Sequence, residues 1–126
     1  MHCYWGTSRP LSCLRYMTVL SFATHNPDWK IKVWKPKDEQ VIPKSWKAQG
    51  DETTYEYKNK DWFPVLETIP NVDICEYDFE NTVVENQHDV FKSDFIRWNL
   101  LHDYGGLWSD FDILYTKPLD SLLENI

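Results

Sequence analysis

Two aspartates, Asp110 and Asp112, stand two residues apart in a short polar segment that follows the apolar pair Leu107-Trp108. Carboxylate oxygens are the ligands that hard divalent cations such as Mg²⁺ and Mn²⁺ prefer, and these cations also bind phosphate oxygens. A cation held by such a pair acts as a Lewis acid and neutralises a departing diphosphate. The pair therefore predicts a metal site that serves a phosphate-containing ligand.

A second pair, Asp94 and Arg97, has the i, i+3 spacing that places two side chains on one helix face. Arg97 offers a planar fork for a phosphate or a carboxylate, and Asp94 can accept hydrogen bonds from sugar hydroxyls. Taken separately, an Asp-x-x-Arg pair is usually a surface ion pair worth less than about 1 kcal/mol. A loop Asp-x-Asp is usually only solvated, and a Gly-Gly after a helix usually only ends it. Their combination in this order and spacing favours a binding site.

The elements that position these residues follow from the hydrophobic pattern, in which β-forming segments alternate with segments of helical periodicity. Strands are predicted at residues 2–5, 29–34, 72–77, 107–108 and 113–116, and helices at 10–24, 62–69 and 85–104. Strands separated by helices predict an α/β layered sheet, mainly parallel, with flanking helices. Ligands bind at the carboxyl edge of such sheets, and Asp110 and Asp112 follow a predicted strand at that edge.

Two further predictions concern surfaces. Within the helix at 85–104, the side chains of Phe91, Phe95, Trp98 and His102 fall along one face. We expect that face to pack against the protein. Residues 36–60 are polar and charged with weak periodicity, which predicts a surface excursion or a mobile flap.

Length, net charge, apolar segments and cysteine count limit the kinds of protein and partner that the sequence fits. A length of 126 residues predicts one domain spanning 1–126, and a net charge of −7 argues against nucleic acid or an anionic membrane as the main partner. No segment is apolar enough to span a membrane, and no signal-peptide core is present. Cys3, Cys13 and Cys75 are an odd number without CxxC spacing, which indicates reduced thiols. A cytoplasmic location is therefore expected.

Residues 92–119 resemble the DXD-containing sugar-binding region of family 32 glycosyltransferases, which includes fungal mannosyltransferases, and the catalytic segment of the large clostridial glucosylating toxins. Their shared pattern is Ser-Asp-x-x-Arg, an apolar helix, Tyr-Gly-Gly-x-Tyr and Asp-x-Asp. This sequence has the three motifs at residues 93–97, 104–108 and 110–112, with sixteen residues from Asp94 to Asp110. Near the N-terminus, Tyr4-Trp5-Gly6 and residues 21–29 resemble the first strand and the helix-end turn of the same family.

The resemblance implies a GT-A-like (Rossmann-like) fold and Mn²⁺- or Mg²⁺-dependent transfer of a hexose from a nucleotide sugar, with retention at the anomeric carbon. The donor is a UDP-sugar or GDP-mannose, and the glycan or protein acceptor is left open. Carried over by position, Asp112 binds the metal, while Asp110 contacts the ribose and the surroundings of the metal. Asp94 and Arg97 hold the donor sugar, and Trp5 stacks on the base. For Trp5, a purely structural role in a buried strand is nearly as well supported.

The sequence departs from the family pattern in two places. Trp108, in the donor-binding segment, replaces the usual Tyr, which removes any hydroxyl contact made there. Relatives also continue well past the DXD strand, whereas here only residues 113–126 follow. A minimal transferase, one piece of a split enzyme, and a truncated domain that binds nucleotide sugar without turnover therefore stay open as alternatives.

A phosphatase of the haloacid dehalogenase type is a weaker alternative. In that class the Asp-x-Asp motif opens the domain, whereas Asp110 lies late in this chain. Leu114 also stands where Thr or Val is typical.

Overall fold

The computed structural model describes residues 1–38 and 60–124 of the chain. The elements are strand β1 (His2–Tyr4), helix α1 (Cys13–His25), strand β2 (Ile31–Pro36), a 3-10 helix (Pro64–Thr68), strand β3 (Val72–Tyr77), helix α2 (Asp89–Tyr104) and helix α3 (Asp120–Leu123). Of the predicted excursion at 36–60, residues 39–59 lie outside the described residues. Among the described helices, none has the length and apolar character that crossing a membrane requires.

The three strands form one parallel sheet in the order β1-β2-β3, which confirms the predicted α/β architecture. Backbone groups of successive residues point to opposite sides of a strand, so β1 can pair on both sides. Trp5 N–H donates to the Trp34 carbonyl on one side (3.0 Å). On the other side, His2 pairs with Trp108 in a parallel bridge, and Ser109 N–H donates to the His2 carbonyl (2.9 Å). The segment predicted as a strand at 107–108 thus contributes one bridge, and it carries Asp110 to the edge where β1 ends.

Helix α1 covers one face of the sheet. It begins after Ser12, whose side-chain oxygen accepts from the Arg15 N–H (3.2 Å), and it ends at Asn26. Val19 and Phe22 of the helix are fully buried in one cluster with sheet residues, among them Ile31 and Val33. The helix predicted at 10–24 is therefore observed from residue 13 to residue 25.

Helix α2 covers the opposite face, where Ile96 and Leu100 pack with Tyr4 and Phe79. The prediction for its buried face was wrong. The fully or nearly fully buried residues of α2 are Lys92, Ile96 and Leu100, whereas Phe91 (45% exposed), Trp98 (74% exposed) and His102 face solvent and Phe95 is half-buried. The reason is the i, i+4, i+8 spacing of Lys92, Ile96 and Leu100, which places them in one stripe. The Lys92 stem contributes apolar surface to that stripe.

Helix α2 also begins later than predicted, at Asp89 and not at residue 85. Residues 79–87 form successive tight turns, including Thr82 N–H to the Phe79 carbonyl (3.1 Å) and Gln87 N–H to the Val84 carbonyl (2.9 Å). His88 then caps the helix by accepting from the Val90 N–H through Nδ1 (3.1 Å). A histidine is an unusual N-cap, so the preference scale for capping residues did not indicate this start.

The strand predicted at 113–116 does not form. Backbone amides of this segment are taken by side-chain hydroxyls of α1. Ile113 N–H donates to Thr18 Oγ1 (3.3 Å), and Tyr115 N–H donates to Ser21 Oγ (3.0 Å). The segment therefore follows the helix and not the sheet.

Candidate functional site

A cleft of about 280 Å³ lies where the carboxyl end of β1 and the segment after Trp108 meet the first turns of α2. Trp5, Asp94, Arg97, Asp110 and Asp112 all line it. The structure thus brings together five of the six residues predicted for the site. The sixth, Trp108, lies outside the lining of the cleft and reaches it only through Asp110.

The two aspartates present their carboxylates to the cleft because the residue between them is buried. Phe111 is 5% exposed and packs edge-on against Trp5 with ring centroids 5.7 Å apart, whereas Asp110 and Asp112 are exposed. The Trp108 indole N–H donates to Asp110 Oδ1 (3.1 Å). Trp108 therefore orients the first aspartate.

The backbone of this acidic segment is held by the buried Ser109. Its hydroxyl donates to the Asp110 carbonyl (2.9 Å) and accepts from the Tyr115 hydroxyl (2.7 Å). Burial raises the pKa of the Tyr115 phenol above its ordinary value. Tyr115 therefore keeps its proton at neutral pH and remains a donor to Ser109.

Asp94 and Arg97 form an ion pair on the face of α2 that lines the cleft, with Arg97 Nη2 3.1 Å from Asp94 Oδ1. Both side chains are more than a third exposed, so the pair contributes little to stability. Its structural effect is to hold the guanidinium and the carboxylate at one place in the cleft wall.

Trp5 also lines the cleft and is half-buried. Its indole N–H donates to the Arg9 carbonyl (3.0 Å), and the Arg15 guanidinium carbon lies 5.2 Å from the ring centroid. The ring is therefore fixed in orientation. A flat aromatic side chain of this kind offers a stacking surface for a nucleobase.

Asp89 is a cleft residue that the sequence patterns did not indicate. Its carboxylate accepts from the Tyr4 hydroxyl at Oδ1 (3.0 Å) and from the Ser8 hydroxyl at Oδ2 (3.2 Å). Burial, together with the nearby Asp89 charge, raises the pKa of Tyr4 far above its ordinary value, so Tyr4 stays protonated as the donor. Because the helix was predicted to begin at residue 85, the position of Asp89 in its first turn was not indicated, and neither were its contacts with Tyr4 and Ser8.

Gly6 is packed against the same carboxylate. A Cβ placed on Gly6 would overlap Asp89, so only glycine allows the loop after β1 to approach α2 this closely. Arg9 and Arg15 also line the cleft and also lay outside the predicted site.

Asp110 and Asp112 are the residues that suit a metal by their chemistry. In the part of the chain that the structure describes, no group of three His, Cys, Asp or Glu side chains is gathered closely enough to hold a cation by itself. Mg²⁺-type sites commonly use one or two protein carboxylates and complete the coordination with water and substrate phosphates. The donor set therefore fits a hard divalent cation that arrives with a phosphate ligand.

Fold and site together define an α/β protein with a cleft at the carboxyl edge of a parallel sheet, lined by an Asp-x-Asp pair. The family described as "Glycosyltransferase sugar-binding region containing DXD motif" matches residues 16–126. The chain belongs to this family. The resemblance drawn from the motifs is thereby confirmed.

Among solved structures, the chain is similar to "PaToxG Glycosyltransferase", with a TM-score of 0.62 and 18% sequence identity. The match covers 93% of this chain and 43% of that chain, so this chain spans less than half the length of that structure. At this identity the likeness concerns the fold, and it agrees with the expected GT-A-like architecture. A comparison with curated protein sequences gives no match.

Proposed function

We propose that this chain forms the donor site of a hexosyltransferase, which binds a nucleotide sugar with a divalent cation and transfers the sugar with retention at the anomeric carbon. The observation that carries this proposal is the convergence of three distant segments on one cleft. Trp5, the Asp94–Arg97 pair and the Asp110/Asp112 pair all line it. Membership of the DXD family supports the same reading.

Each wall of the cleft suits one part of such a donor. Trp5 offers a fixed aromatic surface to the base, and Asp110 lies next to it for the ribose. Asp112 and Asp110 are the carboxylates for Mn²⁺ or Mg²⁺. When bound, the cation would neutralise the diphosphate as it leaves.

The remaining chemistry falls to the protein side chains. Asp94 accepts hydrogen bonds from the sugar hydroxyls. Arg97, whose Nη2 lies 3.1 Å from Asp94 Oδ1, donates hydrogen bonds to the nucleotide sugar. Both groups are held before the donor arrives, which lowers the entropic cost of orienting the sugar as its C1–O bond breaks. We assign no side chain as nucleophile or base.

A second candidate function is donor binding without turnover. One observation favours this alternative. Among the described residues, no third His, Cys, Asp or Glu side chain joins the two carboxylates of the Asp-x-Asp pair to form a cation site. A loosely held cation would support binding more readily than catalysis, because chemistry demands a well-fixed geometry.

The test is calorimetric titration of UDP-glucose, UDP-galactose, UDP-GlcNAc and GDP-mannose, each with and without Mn²⁺. We expect one donor to bind in a Mn²⁺-dependent manner and the Asp112→Asn variant to lose at least about tenfold in affinity, as expected for a charged ligand contact. Asp28→Asn is the matched control, because Asp28 is exposed and does not line the cleft.

Two outcomes would contradict the proposal: no donor binding under any condition, or equal Mn²⁺-dependent binding by the wild type and Asp112→Asn. Release of free nucleoside diphosphate from the bound donor then separates the two candidate functions. Turnover identifies a transferase or a hydrolysing relative, and binding without release identifies the donor-binding alternative.

A further inference from the structure

Arginine is concentrated at the cleft. The chain contains three arginines, Arg9, Arg15 and Arg97, and all three line the cleft, although the net charge of the chain is −7. None of the lysines that the structure describes lies in the lining. Arginine differs from lysine in presenting a planar fork that binds phosphate through two parallel hydrogen bonds. The same lining contains four aspartates, Asp89, Asp94, Asp110 and Asp112, so arginine supplies the cationic side chains that an anion would meet there.

We infer that Arg9 and Arg15 form an anion-recognition pair that binds the diphosphate of a nucleoside diphosphate and acts independently of the metal. The inference rests on the proposed function. It gives a role to two arginines that precede residues 16–126, the part of the chain that the family matches. Arg15 places its guanidinium over the ring of Trp5, the residue proposed to stack on the base, and Arg9 contacts Trp5 through its backbone carbonyl.

The position of Arg9 is set by the loop that follows β1. Its carbonyl accepts from the Trp5 indole N–H (3.0 Å). The preceding residue, Ser8, donates to the Asp89 carboxylate of α2 (3.2 Å). The loop is thus attached to Trp5 through the Arg9 carbonyl and to α2 through the neighbouring Ser8.

The position of Arg15 is set by the first turn of α1. Its backbone N–H donates to the capping Ser12 hydroxyl (3.2 Å), and its guanidinium lies over the Trp5 ring at 5.2 Å. A cation–π contact engages the face of a guanidinium, whereas the N–H donors point along its plane. The contact therefore fixes the plane of the Arg15 guanidinium at the cleft.

The location matches the order of groups in a nucleoside diphosphate. The base is followed by the ribose and then by the two phosphates. A pair of arginines beside the base-stacking residue is therefore within reach of the phosphate nearest the ribose. Asp110 and Asp112 line the same cleft, and without a cation their charges oppose an incoming phosphate. The arginine pair and the cation therefore act on the same anion.

The experiment titrates UDP, GDP and the neutral nucleosides uridine and guanosine into the wild type, Arg9→Gln and Arg15→Gln with Mn²⁺. Each substitution is expected to weaken binding of the nucleoside diphosphate by about tenfold or more, as for loss of a charge-assisted hydrogen bond. Nucleoside binding should change by less than about threefold in Arg9→Gln. Lys30→Gln, which removes one exposed positive charge away from the cleft, is the matched control. Arg97→Gln should weaken binding of the nucleotide sugar but leave the affinities for UDP and GDP nearly unchanged.

A second arm separates the arginines from the metal. In the presence of a chelator, Asp112→Asn should bind UDP or GDP at least as tightly as the wild type, because one repelling carboxylate has been neutralised. Adding Arg9→Gln and Arg15→Gln to that variant should abolish the binding. Circular dichroism of each variant checks that the fold is retained.

Retained diphosphate affinity in both arginine variants would overturn the inference and leave the proposed function intact, provided that the wild type binds with Mn²⁺. Absence of diphosphate binding by Asp112→Asn in chelator would overturn the metal independence of the pair. If the wild type binds no nucleoside diphosphate with or without Mn²⁺, both the inference and the proposed function fail.

Discussion

At the scale of single residues, the cleft depends on a contact between Gly6 and Asp89 that no local motif encodes. Asp89 accepts hydrogen bonds from Tyr4 and Ser8, so its carboxylate is fixed on both oxygens and cannot move aside easily. Because a Cβ on Gly6 would overlap that carboxylate, the loop and helix α2 fit together only when residue 6 is glycine.

We therefore expect Gly6→Ala to destabilise the protein by about 1–3 kcal/mol, the usual range for overpacking a closely fitted site. Chemical denaturation measures the change. In the Asp89→Ala background the same substitution should cost much less, because the overlapping carboxylate is gone, and the difference is a coupling free energy. Equal costs in both backgrounds would show that Gly6 is needed for another reason.

Residue spacing predicted one contact of the site and missed another. The i, i+3 spacing of Asp94 and Arg97 indicated a shared helix face, and the structure shows the ion pair at 3.1 Å. The place of Asp89 at the cleft depends on Tyr4 and Ser8, which are more than 80 residues away in the chain. Local spacing carries no information about such a contact.

At the scale of elements, the segment that follows the Asp-x-Asp pair is attached to helix α1. Ser21 is 8% exposed, and its hydroxyl accepts from the Tyr115 N–H (3.0 Å) while donating to the Thr18 carbonyl (3.0 Å). The main-chain position of Asp112 is thus supported by a helix that is distant in sequence.

Ser21→Ala should destabilise the protein by about 1–3 kcal/mol, because the Tyr115 amide loses its partner in a partly buried setting. It should also weaken Mn²⁺-dependent donor binding, since Asp112 stands three residues before that amide. Thr24→Ala is the control on the same helix, since Thr24 is exposed and its hydroxyl bonds only within the helix (Leu20 carbonyl, 2.7 Å). Thermal denaturation measures the loss of stability, and the donor titration measures the loss of affinity. If Ser21→Ala is destabilised but binds the donor unchanged, the hydrogen bond between Ser21 and Tyr115 has only a structural role.

At the scale of the whole molecule, His2 joins three elements. The Trp34 indole N–H of β2 donates to His2 Nδ1 (3.2 Å), and His2 Nε2 lies 3.1 Å from the Gly105 carbonyl at the end of α2. An indole nitrogen only donates, so Nδ1 accepts and the proton of the neutral ring is on Nε2, donating to Gly105. This network requires an uncharged imidazole.

Burial, assisted by the nearby N-terminal ammonium, lowers the pKa of His2 below its ordinary value of 6.5. Burial lowers the pKa of His88 in the same direction. The unfolded chain therefore binds more protons than the folded protein as the pH falls below 6.5, and the free energy of unfolding decreases there. Above that pH both states have neutral histidines, and this contribution is constant.

We expect His2→Gln to show a smaller loss of stability than the wild type between about pH 6.5 and pH 5, the interval below the unperturbed histidine pKa. The measurement is the midpoint of denaturation at several pH values. His102→Gln is the matched substitution at a histidine exposed on the surface of α2, outside the network that joins Trp34, His2 and Gly105. If the denaturation midpoint of His2→Gln falls with pH as steeply as that of the wild type, groups other than His2 cause the pH dependence.

The sequence by itself determined the order of the elements from β1 to α2, the parallel α/β architecture and the family motifs. Strand β3 was predicted with its observed bounds, and the end of α1 was predicted to within one residue. These features depend on hydrophobic periodicity, proline and capping, all of which act between residues a few positions apart.

Only the tertiary structure decided which faces are buried and which distant side chains meet. It showed that Lys92, Ile96 and Leu100 form the buried stripe of α2, and that residues 113–116 follow α1 and not the sheet. It also added Arg9, Arg15 and Asp89 to the cleft. The physical reason is that burial and partner choice depend on packing between segments far apart in the chain, where a local preference of a few tenths of a kcal/mol is readily overridden.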